Sequence, residues 1–228
     1  MKRIIVAIDG PGGAGKSTIA RRVAERLGYL YLDTGAMYRA VALWALRTQT
    51  SLDDMHRLEQ LALSAAITFE DCGRRVLLNG EDISASIRTP EVSAAASKVS
   101  AVPGVRRALV EKQREAARSV SVVMEGRDIG TVVFPDAEVK FFLDASPEVR
   151  AARRVKELED RNGGACAESV ARELAERDAR DRTRAEAPLV QAPDAMYLDS
   201  SALTPEEVEE RILKTVRDRT ANGKEVAR

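Results

Sequence analysis

Five apolar residues, Ile4-Ile5-Val6-Ala7-Ile8, run through Asp9 into Gly10-Pro11-Gly12-Gly13-Ala14-Gly15-Lys16-Ser17. Beyond that loop Ile19, Ala20, Val23, Ala24 and Leu27 recur at helical spacing. A strand, a glycine loop and a helix in this order match the phosphate-binding pattern G-x-x-x-x-G-K-[ST] at every fixed position. The residue types explain why. Glycines let consecutive backbone N–H groups turn inward around an anion, and the helix that begins there adds its positive end. Lys16 would reach the β and γ phosphates, and the Ser17 hydroxyl would join a Mg²⁺ shell. The loop points to a nucleoside triphosphate and is silent about what receives a phosphate.

The same alternation returns in Val120 to Met124, Val139 to Leu143 and Met196 to Leu198, with Pro147 and Pro205 where following helices should begin. Strands separated by helices predict a parallel sheet in an α/β domain. Two regions depart from the rhythm. Ile67 to Glu70 and Arg75 to Leu78 flank the turn-like Asp71-Cys72-Gly73-Arg74, and Asn79-Gly80 gives a second turn before Asp82-Ile83, so a small antiparallel insert is expected at about 67 to 84. The stretch from Pro147 to about Ala187 is helical and dense in charge, broken only at Asn162-Gly163-Gly164. Ala221 to Arg228 reads as a loose polar tail. His56 is expected on a surface helix and Trp44 in core packing.

Composition removes whole classes of function. The 228 residues carry 36 Lys and Arg against 36 Asp and Glu, a net charge of zero, which disfavours a track for nucleic acid. Ile4 to Ile8 is far too short for a membrane span of ~18 residues or a signal-peptide core of ~7, so neither membrane nor export is expected. Cys72 and Cys166 have no C-x-x-C partner, so neither structural zinc nor a disulfide framework is indicated, and a reducing cytosol is the simplest compartment. The cations divide into 28 Arg and 8 Lys. Arginine grips phosphate in bidentate fashion, so its placement matters.

Three further motifs contain such arginines. Asp33-Thr34-Gly35-Ala36-Met37-Tyr38-Arg39 follows the apolar run Tyr29 to Leu32; Thr34 is placed to cap a helix reaching about Arg47, with Arg39 just beyond its first turn. Glu125-Gly126-Arg127-Asp128-Ile129-Gly130-Thr131 leaves the carboxyl end of a predicted strand, where open α/β sheets place their ligand crevice. In Arg177-Asp178-Ala179-Arg180-Asp181-Arg182-Thr183-Arg184, a pitch of about 100° per residue puts Arg177, Arg180, Asp181 and Arg184 on one helix face. Arg150, Arg153 and Arg154 form a second cationic cluster after Pro147.

Together with Ile87-Arg88-Thr89-Pro90-Glu91-Val92, the extension to Gly126-Arg127-Asp128-Ile129-Gly130-Thr131-Val132-Val133-Phe134-Pro135, and Glu176 to Arg184, these blocks resemble the bacterial cytidylate kinases, the (d)CMP kinases among the P-loop nucleoside monophosphate kinases. The likeness runs from residue 10 to 184 and keeps the family's element order beyond. It implies a five-stranded parallel sheet with helices on both faces, a small antiparallel insert and a helical lid. It also implies a core of residues 1–33, 119–146 and 188–220, a monophosphate-binding region at 34–118 and a lid at 147–187.

The resemblance further implies residue roles. Gly10, Pro11, Gly12, Gly13, Ala14, Gly15, Lys16, Ser17, Thr18 and Arg154 would hold ATP, with Ser17 on Mg²⁺; the family's usual Gly after the loop lysine is replaced here by Ser17. Thr34, Arg39, Arg127 and Arg184 would hold the monophosphate, Ser97, Arg106 and Asp128 would read cytosine, and Arg177 and Asp181 would meet the sugar. Asp128 can accept from the cytosine amino group while Arg106 and Ser97 donate to the ring acceptors, and uracil inverts that donor. In catalysis Lys16 would steady the donor, Arg39 and Arg127 the acceptor, and the lid arginines Arg153, Arg154 and Arg184 the phosphoryl group in transit. The expected acceptors are CMP and dCMP, the donor ATP, and the protein a monomer. A kinase of another small acceptor and a nucleotide-dependent ATPase or switch are the alternatives, although the N-K-x-D tetrapeptide of a guanine switch does not occur.

Overall fold

The computed structural model describes residues 3–162 and 166–222. Gly163 and Gly164 of the expected break, and residues 223–228 of the expected tail, lie outside them. Two compact units are formed, one from Met1–Tyr29 with Val122–Arg228 and one from Leu30–Ser121.

The first unit contains the strands β1 (Ile5–Asp9), β6 (Val122–Gly126), β7 (Val139–Asp144) and β8 (Met196–Asp199) and the helices α1 (Lys16–Leu27), α6 (Pro147–Asn162), α7 (Ala167–Thr183) and α8 (Pro205–Asn222). The parallel sheet has the order β2-β6-β1-β7-β8, β2 being Leu30–Asp33. Every residue of β1 and β6 is buried, as a strand covered on both faces requires. α1 packs on β6 and α8 on α1 and β7, enclosing Ile8, Val23, Met124, Phe141 and Ile212. Local chemistry starts the helices. Ser146 Oγ accepts from Val149 N ahead of α6, and at α8 Thr204 and Glu207 exchange bonds in a capping box, Thr204 Oγ1 accepting from Glu207 N at 3.2 Å and Glu207 accepting from Thr204 N at 2.8 Å.

The second unit contains β2, the helices α2 (Thr34–Arg47), α3 (Met55–Ser64), α4 (Pro90–Val99) and α5 (Pro103–Ala116), and an antiparallel insert of β3 (Ile67–Glu70), β4 (Arg75–Leu78) and β5 (Glu81–Asp82). The insert falls where the two turn signals predicted it. α2 packs against α4 and α3 against α5.

Three local expectations are corrected. β6 begins at Val122 rather than Val120, whose side chain is exposed and has no face to bury. The cap of α2 is Asp33 rather than Thr34, because the longer carboxylate reaches Ala36 N at 2.9 Å and leaves Thr34 as the first helical residue. Trp44 is half-buried rather than deep in the core. Among the described residues, no helix is long and apolar enough to cross a membrane.

Candidate active site

The register of β1 on β6 pairs Asp9 with Gly126, so the phosphate loop and the Arg127 segment leave adjacent strands side by side. Gly10 is required by close approach: a Cβ there would lie 2.0 Å from the Leu143 carbonyl oxygen. Gly15 stands before α1 with a φ of 91°, in the left-handed region, and no side chain caps the helix. The first N–H groups of α1 are therefore left for an anion.

Lys16 is buried and donates from Nζ to the Pro11 carbonyl at 2.6 Å, folding back along its own loop. Burial, reinforced by the Arg127 charge, pushes its amine well below the usual range, while Glu125 and Asp9 oppose the shift. Ser17 and Thr18 are exposed. Behind the loop, Asp9 accepts from the backbone N–H groups of Ile129 and Gly130 at 2.8 Å each. These begin a π-helical turn, Ile129–Val133, that follows Asp128. Burial pushes Asp9 up to about 6, against the lowering effect of the two N–H bonds.

Arg127 donates from Nε to Asp181 at 2.8 Å and from Nη1 to the Gly126 carbonyl at 3.2 Å. Burial works against its charge, but Asp181, Asp178 and Glu125 outweigh it. Asp181 is correspondingly held below the usual carboxylate range: burial is overcome by Arg127, Arg177 and Arg184. Arg184 lies 3.6 Å from Asp128 and 3.9 Å from Asp181, and donates from Nε to the Ala187 carbonyl at 2.6 Å. Thus Arg127, Asp128, Asp181 and Arg184 come together in one buried cluster, with Arg177 in electrostatic reach of Lys16 and Asp181.

The inward face of α7 differs from the expected one. Asp178 and Asp181 are buried and Arg180 is exposed. Positions 178 and 181 are only about 60° apart on a helical wheel, and Arg180 lies about 100° from Asp181, on the far side from Asp178. On α6, Arg153 donates to Ser200 O at 2.7 Å, Ser200 Oγ at 3.0 Å and Ala14 O at 3.3 Å, which ties it to the phosphate loop. Arg154 instead pairs with Glu157 of its own helix at 2.8 Å.

The second unit holds the remaining expected residues. Asp33 accepts from Arg39 Nη2 at 2.8 Å, and its carboxyl stays below the usual range because Arg39, the Ala36 N–H and Arg88 overcome burial. Arg106 is buried, lies 5.6 Å from the Tyr38 ring centroid and donates to the Ser100 carbonyl at 3.2 Å. Among the described residues, the buried Ser97 Oγ and Arg39 Nε have no hydrogen-bond partner, so each retains capacity for a ligand.

Sequence reasoning gave no role to Asp9 or Asp178, and placed Arg150 only in the cationic cluster of α6 without its hold on Gly12. An acid that ends an otherwise apolar strand, and an Asp one turn from another Asp, were the available signals.

A family model described as cytidylate kinase matches residues 6–218. A cytidylate kinase of Solibacter usitatus is 60% identical over 226 residues, covering 98% of this chain and 97% of the relative. One from Geobacter sp. (strain M21) is 52% identical over 222 residues, covering 96% and 95%. The crystal structure of an uncharacterized protein from Eubacterium ventriosum shares the fold at a TM-score of 0.52 and 12% identity, covering 94% of this chain and 98% of the other. With a family model spanning nearly the whole chain and relatives matched end to end at half or more of their positions, the chain belongs to the cytidylate kinase family.

Proposed function

We propose that the protein moves the γ-phosphoryl group of ATP to the phosphate of CMP or dCMP, giving ADP and CDP or dCDP. The observation that carries this reading is the pairing of Asp9 with Gly126, which starts the phosphate loop and the Arg127 segment from neighbouring strand ends. A donor phosphate on the loop and an acceptor phosphate on Arg127 would then share one cationic neighbourhood. An acceptor phosphate is already anionic, so orientation and charge neutralisation carry the reaction rather than a strong base.

In this reading Gly10 to Thr18 cradle the donor, and Lys16 turns from the Pro11 carbonyl to the β and γ oxygens. The anionic phosphates restore the proton that burial and Arg127 disfavour on Lys16. Arg127 and Arg184 hold the acceptor phosphate, Asp128 accepts from the base, and Arg177 and Asp181 face the sugar. Thr34 and Arg39 contribute to phosphate binding, while Ser97 and Arg106 donate to the cytosine ring. Arg153 steadies the group in transit from its place beside Ala14, and Arg154 has to leave Glu157 to reach the donor.

The residues suit Mg²⁺ held largely by phosphate oxygens and water. Ser17 is exposed at the first turn of α1, and among the described residues no group of three His, Cys, Asp or Glu could form a protein cage. When bound, Mg²⁺ supplies charge neutralisation on the β and γ phosphates. We place the reaction in a reducing cytosol and in a monomer; the exposed thiols of Cys72 and Cys166 suit that compartment.

The test is ADP release from Mg-ATP with CMP, dCMP, UMP, AMP, cytidine or buffer. Release that depends on CMP or dCMP is expected. Equal release in every tube refutes the reading.

A further inference from the structure

Asp178 has no part in the roles above, yet it is only 7% exposed and holds the phosphate loop directly. Its Oδ1 accepts from Gly12 N at 3.2 Å, and its other oxygen accepts from Arg150 Nη1. The same Arg150 nitrogen donates to the Gly12 carbonyl at 3.0 Å, and Arg150 Nε donates to the Ala145 carbonyl at 3.0 Å. Both polar groups of Gly12 are therefore fixed, one from α7 and one from α6, by two side chains that also pair with each other.

Asp181 lies three residues further along α7, on the same side of the helix. It is 6% exposed and accepts from Arg127. One face of α7 thus grips the loop proposed for the donor and the arginine proposed for the acceptor. The charge of Asp178 also acts on Arg127 directly, helping to hold its guanidinium above the ordinary value.

We propose that Asp178 is a positioning residue that makes the binding of the two nucleotides interdependent. This rests on the phosphoryl-transfer reading above. ATP that orders the loop fixes Gly12, through Asp178 fixes α7, and through Asp181 sets Arg127 for the acceptor. CMP on Arg127 and Asp181 runs the same chain backwards. A helix gripped by both sites needs ordering only once, so the second ligand binds to a prepared site. Linkage requires the enhancement to be equal in both directions.

Titration calorimetry on the full chain tests this, with CMP titrated alone and in the presence of a non-hydrolysable ATP analogue. Wild type is expected to bind CMP about 5-fold or more tightly with the analogue present, within the usual range of coupling between sites. In Asp178→Ala the enhancement is expected to fall below about twofold, a change that a purely structural loss, weakening both affinities alike, would not produce. Asp178→Asn, which keeps an oxygen for Gly12 N–H and loses the charge facing Arg150, should fall between. Absence of CMP binding by wild type under both conditions overturns the acceptor assignment and this proposal with it. CMP binding with equal enhancement in wild type and Asp178→Ala, or with none in wild type, overturns the proposal alone. If the variants fail to fold, hydrogen exchange at the Gly12 amide of wild type decides: CMP alone should slow it about 5-fold or more. An unchanged rate refutes the coupling.

Discussion

Replacing Asp9 by Asn should abolish one segment of the pH dependence of stability. Asp9 is 4% exposed and its carboxyl is pushed from the ordinary 3.8 up to about 6, chiefly by burial. The folded state therefore binds this proton more tightly than the unfolded chain does. Stability from this group is greatest below pH ~4 and declines as pH rises through the window from about 4 to 6. At ~1.4 kcal/mol per pH unit, the window is worth roughly 3 kcal/mol. Asparagine carries no charge to bury but can accept from only one of the Ile129 and Gly130 amides without opposing its own N–H₂ to the other. That loss is about 1.5–3 kcal/mol for a bond to a charged group. The two effects nearly cancel above pH 6, and below pH 4 wild type should be the more stable protein. Urea unfolding of both proteins at half-unit steps from pH 3.5 to 8 gives the difference curve, in which carboxylates common to both drop out. Lys16, whose amine is lowered from 10.5 to about 7, gains stability as pH rises between those values and so acts in a separate window. Parallel curves for the two proteins between pH 4 and 6 would sink the assignment.

Arg106→Ala should raise KM for CMP about 10- to 100-fold and Ser97→Ala about 5-fold, with KM for ATP unchanged, as expected for losing one charged and one neutral hydrogen bond; equal effects on both substrates would contradict the base-reading role. Arg153→Ala should instead lower kcat about 10- to 100-fold with KM for CMP unchanged in steady-state assays, as expected for losing a charged contact to the group in transit; a change confined to KM would contradict that role. Gly10→Ala drives a methyl group to 2.0 Å from the Leu143 carbonyl oxygen and should lower stability by at least ~2 kcal/mol, and an unchanged Tm would refute the close approach.

The phosphate loop was readable in the chain because its requirements are local: glycines where the backbone turns, lysine and hydroxyl at fixed offsets, a strand before and a helix after. The insert was readable for the same reason, from two turn signals eight residues apart. Asp178 was not, because what makes it matter is Gly12, 166 positions away, and Asp9 meets Ile129 across 120. Charge-rich helices are the hardest case. The alternation of Arg and Asp from 177 to 184 permits several inward faces, and the helix adopts the one that buries two carboxylates against arginines from other elements. At α2 the error was smaller: two adjacent residues could both cap, and the carboxylate won.

The Asp33 carboxylate that starts α2 also holds Arg39, and this has an energetic consequence for the phosphate role proposed for that arginine. A free arginine surrenders up to ~2 kcal/mol of rotamer entropy when a ligand immobilises it. Arg39 has already surrendered much of it in folding, with one end of its guanidinium held and its Nε buried and, among the described residues, still unmatched. Affinity for an anion there depends on how well the anion fits a group that is waiting in place, so Arg39→Lys would lose the fork and the preset aim together.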